Sequence, residues 1–107
     1  MRIIEYLDID GGSPFAAWFG DLDATAAAKI AVALARISAG HASSLKGVGG
    51  GALEWRVNFG PGYRIYRGRD GDRLVVLLGG GTKRRQDRDI ETAIKRWRDY
   101  RQRKKAK

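Results

Sequence analysis

GPGYRIYRGRDGDRLVVLLGGGTKRR, residues 60–85, holds two strand-like runs, a turn, three consecutive glycines and then three consecutive cations. YRIYRG (63–68) and RLVVLL (73–78) are rich in β-branched, aromatic and long apolar residues, and RDGD lies between them. Asp70-Gly71 is a strong hairpin signal, because glycine reaches the positive φ that a tight reversal demands. After Arg73 the second run is apolar on both sides, the pattern of an interior strand covered above and below. The stretch therefore predicts an antiparallel hairpin whose second strand ends on Gly79-Gly80-Gly81.

Working outward, ALEWRVNF (52–59) alternates before a tight GPG connection. Leu53, Trp55, Val57 and Phe59 take one side; Ala52, Glu54, Arg56 and Asn58 take the other. Together the three runs predict a meander. HASSLKGVGGG (41–51) reads as a loop. Upstream, RIIEYL (2–7) is a short strand broken by GGSPF, in which Ser13 can cap a helix with Pro14 at its first position. Phe15, Trp18 and Leu22 share one helical face, and Asp23 can cap a longer alanine-rich helix carrying Ile30, Leu34 and Ile37. Gly40 is its expected stop. Downstream, QDRDIETAIKRWRDY places Ile90, Ala93, Ile94 and Trp97 on one helical stripe, with Asp87 and Asp89 near the positive end of the helix dipole.

The predicted order is β-α-α-β-β-β-α in one domain spanning residues 1–107, with a basic, frayed tail over about 101–107. This is an α+β arrangement: an antiparallel sheet with a helical hairpin packed on one face. The other face is expected to stay partly open, with the last helix beside it.

Composition narrows the function. There are no cysteines and one histidine, so disulfide, thiol-redox and cysteine- or histidine-rich metal sites are excluded, and no cofactor is expected. MRIIEYLDIDGG has too short an apolar run for a signal peptide, and no run is long enough to cross a bilayer, so a cytoplasmic protein without a membrane partner is expected. The net charge is +9 and regional. Residues 1–45 hold 3 Lys/Arg against 5 Asp/Glu; residues 46–107 hold 18 against 7. A cationic half of this kind suits a polyanionic partner, nucleic acid or an acidic protein.

Alternation places Arg56, Arg64 and Tyr66 on the sheet face away from the hairpin of helices. Lys46 would reach them from the loop, and Lys83, Arg84 and Arg85 from the end of the last strand. Arginine forks and ammonium groups converging in this way suit a phosphate backbone, and Tyr66 could stack on a base. The alternative is a solvated face whose arginines pair with Glu54 and nearby aspartates. GVGGG and GGG match neither the Walker pattern nor the dinucleotide fingerprint. His41, after Gly40, reads as a surface residue.

SLKGVGGGALEWRVNFGPGYRIYRGRDGDRLVVLLGGGTKRRQDRDIETA resembles the core of the RelE/ParE toxin superfamily. The similarity is strongest to its phage-derived addiction module killer branch, related to HigB toxins. It rests on LKG before a Gly-rich loop, E-x-R in a strand, GPGYR-x-Y, LL-x-GG-x-K and Q-x-x-DI, and it spans residues 44–100. The resemblance implies the toxin of a type II toxin–antitoxin system, with a cognate antitoxin, a helix-turn-helix protein from the adjacent gene. It implies a metal-independent, ribosome-dependent mRNA endonuclease, so mRNA and the ribosome would be partners. ParE-like gyrase poisoning and an inactive remnant of such a toxin are the alternatives. For cleavage it implies Arg56, Arg64, Lys83 and Arg84 as site residues, with Lys46 supporting the loop in the LKG motif. With Tyr66 on the same face, Arg56, Arg64, Tyr66 and Arg84 are the expected catalytic groups and Lys46, Lys83 and Arg85 the expected phosphate-binding groups. Ile90 stands near where RelE-like enzymes often carry a tyrosine, and Glu54 where some relatives carry a lysine, so Asp87, Asp89 or Tyr66 would have to handle the proton instead.

Overall fold

The computed structural model describes residues 1–41 and 45–106. Residues 42–44 of the expected loop and Lys107 of the expected tail lie outside the described residues. The chain runs through β1 (Arg2–Glu5), α1 (Pro14–Gly20), α2 (Ala24–Ser38), β2 (Leu45–Gly49), β3 (Ala52–Val57), β4 (Tyr63–Asp70), β5 (Leu74–Thr82), a 3-10 turn (Lys83–Arg85) and α3 (Gln86–Lys105). The fold is α+β, with a five-stranded sheet in the order β1-β5-β4-β3-β2.

Four differences from the sequence expectation have physical causes. Leu45–Gly49 is a strand, β2, where a loop was expected: it pairs antiparallel with β3, through a register shift between Gly47 and Gly49. Its glycines hide a strand that tertiary pairing nonetheless enforces. The sheet is mixed, because β1 runs parallel to β5 with Ile3 opposite Val75. The tail is helical through Lys105, since α3 continues one and a half turns past Tyr100 and is anchored there. Finally, the face expected to stay partly open is covered by α3.

Each sheet face carries its own core. On one, Phe15 of α1 and Ile30, Ala33 and Ile37 of α2 pack on Trp55, Ile65, Val75 and Leu77. On the other, Ala93 and Trp97 of α3 pack on Tyr6, Ala52, Tyr66, Val76 and Leu78. Fully burying an aliphatic side chain such as Ile30, Ile65 or Leu78 contributes about 1.5–3 kcal/mol. The helix caps follow the sequence. Ser13 Oγ accepts from Ala16 N–H at 3.0 Å and Asp23 Oδ1 from Ala26 N–H at 2.8 Å. Gly40, at φ +86°, stops α2.

β5 explains the three glycines. They lie inside the strand, which continues to Thr82. A bulge shifts the register between Tyr66 and Arg67, so Tyr66 faces Gly79 while Arg67 faces Leu77. Leu78 is the extra residue. Beyond it, a Cβ on Gly80 would overlap the Trp18 indole of α1, and one on Gly81 would overlap the Asp89 carboxylate of α3. The glycines let two helices touch one strand from opposite faces. Gly68 of β4 does the same for Trp97.

The far end of α3 is held by polar contacts. Tyr100 Oη donates to Asp70 at 2.9 Å, and Lys104 Nζ lies 2.6–2.7 Å from the same carboxylate. Tyr6 Oη donates to Asp99 at 2.7 Å, and Arg103 pairs with Asp99 one turn on. Further in, Arg96 Nη1 donates to the Leu78 carbonyl at 2.8 Å. The start of α3 is held separately, by Gln86 against Glu54 of β3, where the cations gather.

Candidate functional site

Strand register sets the site. On the α3 side of the sheet Lys46 stands opposite Glu54 and Glu54 opposite Tyr66. In the next row Arg56 stands opposite Arg64, and Arg64 opposite Gly81. The 3-10 turn then returns the chain over this corner. Lys83 N–H donates to the Gly62 carbonyl at 3.0 Å, and the Arg64 guanidinium donates to that same carbonyl. One backbone oxygen thus ties the cation of the turn to the cation of the strand. Gly62 has φ +77°, and a Cβ there would lie 2.7 Å from Arg64 Nη1, so only glycine suits the position.

The result is a cleft of about 350 Å³ lined by Leu45, Lys46, Glu54, Arg56, Arg64, Lys83 and Gln86. Arg64 is 4% exposed and forms part of its lining. Its Nε has no hydrogen-bond partner. Among the described residues no carboxylate lies within ion-pairing distance of Lys46, Arg56, Arg64 or Lys83. A guanidinium held at Nη1 by the Gly62 carbonyl, flanked by three cations without ion pairs, makes this corner strongly cationic, a setting that suits an oxyanion.

Glu54 is the anionic member, 3% exposed. Gln86 Nε2 donates to both of its oxygens, at 3.2 and 3.0 Å. Tyr66 lies beside it at 1% exposure, and its hydroxyl has no hydrogen-bond partner of good geometry. Burial, then the charge and close approach of the Glu54 carboxylate, then the charge of Asp89, hold the Tyr66 phenol well above its ordinary value, against the opposing pull of Arg64. Asp89 lies against Gly81 on the β5 side of Tyr66 and lines a separate hollow with Trp18, Thr92 and Arg96. Burial raises its carboxyl, against the opposing pull of Arg85, Arg96 and Arg88.

Of the residues singled out from sequence, Lys46, Arg56, Arg64 and Lys83 come together. Lys46 arrives on β2 rather than on a loop. Arg84 and Arg85 are exposed and line a neighbouring hollow of about 420 Å³ with Lys83, Gln86, Asp87 and Arg88. They extend the basic surface without entering the cleft. Tyr66 is enclosed beneath α3, too deep to stack on a base. His41 is exposed and lines none of these clefts. Glu54 and Gln86 were not among the candidates. The signal for Glu54 was its place in the E-x-R motif, two residues before Arg56 on the same face of the strand. Gln86 was the first residue of the Q-x-x-DI motif, which marked the position without giving it a role.

The cleft gathers four cations and one carboxylate, Glu54, a charge pattern suited to a phosphate group. Among the described residues no three His, Asp or Glu side chains come together as a metal site. No helix among them is long and apolar enough to cross a membrane.

No protein-family model matches the chain. Over 80 residues it is 39% identical to an uncharacterized protein of Haemophilus influenzae, covering 74% of this chain and 81% of that protein. At that identity and coverage, the chain belongs to the same family as the uncharacterized Haemophilus influenzae protein.

Proposed function

We propose that this protein is the toxin of a type II toxin–antitoxin system, with a RelE/ParE-like topology of the addiction module killer, HigB-like kind, and that it cleaves mRNA on the ribosome in the cytoplasm. The observation that carries the reading is the convergence of Lys46, Arg56, Arg64 and Lys83 on one cleft with no carboxylate paired to them. Such a cleft favours a phosphodiester at its floor. Arg64 clamps a non-bridging oxygen, and the other three cations disperse the charge that builds on phosphorus during attack by a ribose 2′-OH. The exposed Arg84, Arg85 and Arg88 extend the surface along which an RNA backbone would lie. An acidic antitoxin segment would neutralise the same surface by covering it.

Expression of the protein under a tight promoter, with transcript 5′ ends mapped minutes later, tests this. New ends inside translated messages, abolished by Arg64→Ala and by the adjacent gene's product, are expected. Growth arrest with intact transcripts and gyrase-linked DNA breaks overturns the nuclease reading in favour of gyrase poisoning. Harmless expression overturns the toxin reading itself.

A further inference from the structure

The geometry points to Glu54 as the proton acceptor of the cleavage, held in place by Gln86. This rests on the nuclease reading above and supplies the role that the sequence left open at Ile90.

Elimination and position both lead there. Transesterification needs a base within hydrogen-bond reach of the 2′-OH while cations hold the adjacent phosphate. The cleft contains one carboxylate. Asp89 opens to a different hollow on the β5 side, and Asp87 lines the exposed hollow outside the cleft. Tyr66 is buried under α3, with its phenol held protonated by burial and by Glu54 itself, so it is no base. Lys46, Arg56, Arg64 and Lys83 are phosphate ligands. Facing Glu54 are Lys46 from β2, Arg56 of its own strand, Arg64 and Tyr66 from β4, Lys83 from the turn and Gln86 from α3.

The Gln86 amide separates a base from a mere counter-charge. A carboxylate retained to neutralise the cluster gains most by pairing directly with a guanidinium. Glu54 has no ion pair, and its oxygens are fixed by a neutral donor that leaves lone pairs unused. That arrangement orients the carboxylate without an ion pair to the cations that must hold phosphate.

The step balances within the RNA. The 2′-O–H bond breaks and its proton passes to a Glu54 oxygen. The 2′ oxygen bonds to phosphorus, the P–O5′ bond breaks, and its electron pair stays on O5′. Solvent water protonates O5′, and Glu54 returns its proton to the resulting hydroxide. The products are a 2′,3′-cyclic phosphate and a 5′-hydroxyl, with no water consumed.

The test is single-turnover cleavage of a ribosome-bound mRNA by purified wild type, Glu54→Gln and Glu54→Asp, across pH. An equivalent mRNA with a 5′-bridging sulfur at the scissile bond runs in parallel, because sulfur leaves without a proton. Glu54→Gln should slow cleavage on the order of 10²–10⁴-fold. It should also abolish the limb on which rate rises with pH, and the sulfur leaving group should not rescue it. Binding of an mRNA with 2′-deoxyribose at the scissile position should be unchanged or tighter. Glu54→Asp should keep the limb at a reduced rate, so a poorly folding Gln variant does not shelter the inference. Wild-type cleavage matched by Glu54→Gln in rate and pH profile overturns it, as does full rescue by sulfur, which would make Glu54 an acid. A wild-type protein that leaves RNA intact overturns the nuclease reading and this inference with it.

Discussion

Gln86, the first residue of α3, donates its side-chain amide to both carboxylate oxygens of Glu54 on β3, 32 residues earlier in the chain. It is the hydrogen bond that joins the helix start to the sheet over the cleft. Replacing Gln86 with Leu leaves a buried carboxylate without its donor, which costs about 1–3 kcal/mol. For a chain of this length that lowers Tm by several degrees, at about 4–8 °C per kcal/mol. Urea unfolding checks it against Gln102→Leu, an exposed glutamine of the same helix. Equal midpoints for the two variants would show that the contact contributes nothing.

The glycines of the sheet carry a steric prediction. Gly80→Ala drives a methyl into Trp18 and Gly68→Ala drives one into Trp97, both rigid indoles in well-packed positions. Overpacking of this kind costs about 1–3 kcal/mol or more. Gly20→Ala is the control: a Cβ there meets nothing within 4 Å, and the residue ends α1. It should be neutral or gain up to about 1 kcal/mol from helix propensity. Thermal melts of the three variants suffice, and wild-type stability in Gly80→Ala and Gly68→Ala would mean that the indoles are not seated against the strand.

How much of this was legible follows from which interactions are local. Ser13 with Pro14, Asp23 and Gly40 announce helix boundaries through neighbours three or four residues away, and the structure has those caps. The alternation of Trp55, Val57 and Ile65 assigned the α2 side of the sheet correctly, because period-2 burial is written into each strand. Arg56 and Arg64 were expected to share a face for the same reason. β2 was missed, since LKGVG has weak strand propensity and forms only through its pairing with β3. The parallel place of β1 was also beyond reach, because register between residues 72 apart, such as Ile3 and Val75, leaves no local trace. The coverage of Tyr66 depends on α3 folding back over β4, and glycines that read as a strand end are what make room for it.

Two aspartates should respond to acid with opposite signs. Hydrogen bonds from Lys104 and Tyr100 hold the Asp70 carboxyl below its ordinary value. Its contribution is therefore present above the unfolded-state pKa, about 3.9, and is lost as pH falls through the lower folded value. Asp89 is held above its ordinary value, chiefly by burial. Its ionised form is a penalty at neutral pH, relieved as pH falls through the raised folded value. Asp70→Asn should then lower stability at pH 7 and flatten its decline in acid. Asp89→Asn should raise stability at pH 7 and remove that relief. Urea midpoints from pH 3 to pH 7 read both slopes, and slopes of the same sign for the two variants would contradict the burial of Asp89.

Arg56 and Arg64 occupy directly opposed positions on β3 and β4, a like-charge cross-strand pair with no carboxylate paired to either. Such a pair costs stability by about 0.2–1 kcal/mol. Arg56 is exposed, so Arg56→Thr removes the repulsion without opening a cavity, and threonine suits a strand. The variant should be more stable than wild type by that amount at low salt. The difference should shrink as salt screens the pair. Inorganic pyrophosphate should stabilise the wild type more than the variant, because an anion bound only by the folded state raises Tm. Affinity for a single-stranded RNA should fall, and the slope of log K against log salt should lose about 0.7, one phosphate contact. Stability gained together with anion and RNA binding lost is the signature of charge held in place for a ligand. If Arg56→Thr instead loses stability and binds RNA with an unchanged salt slope, Arg56 serves the fold and the cleft has only three working cations.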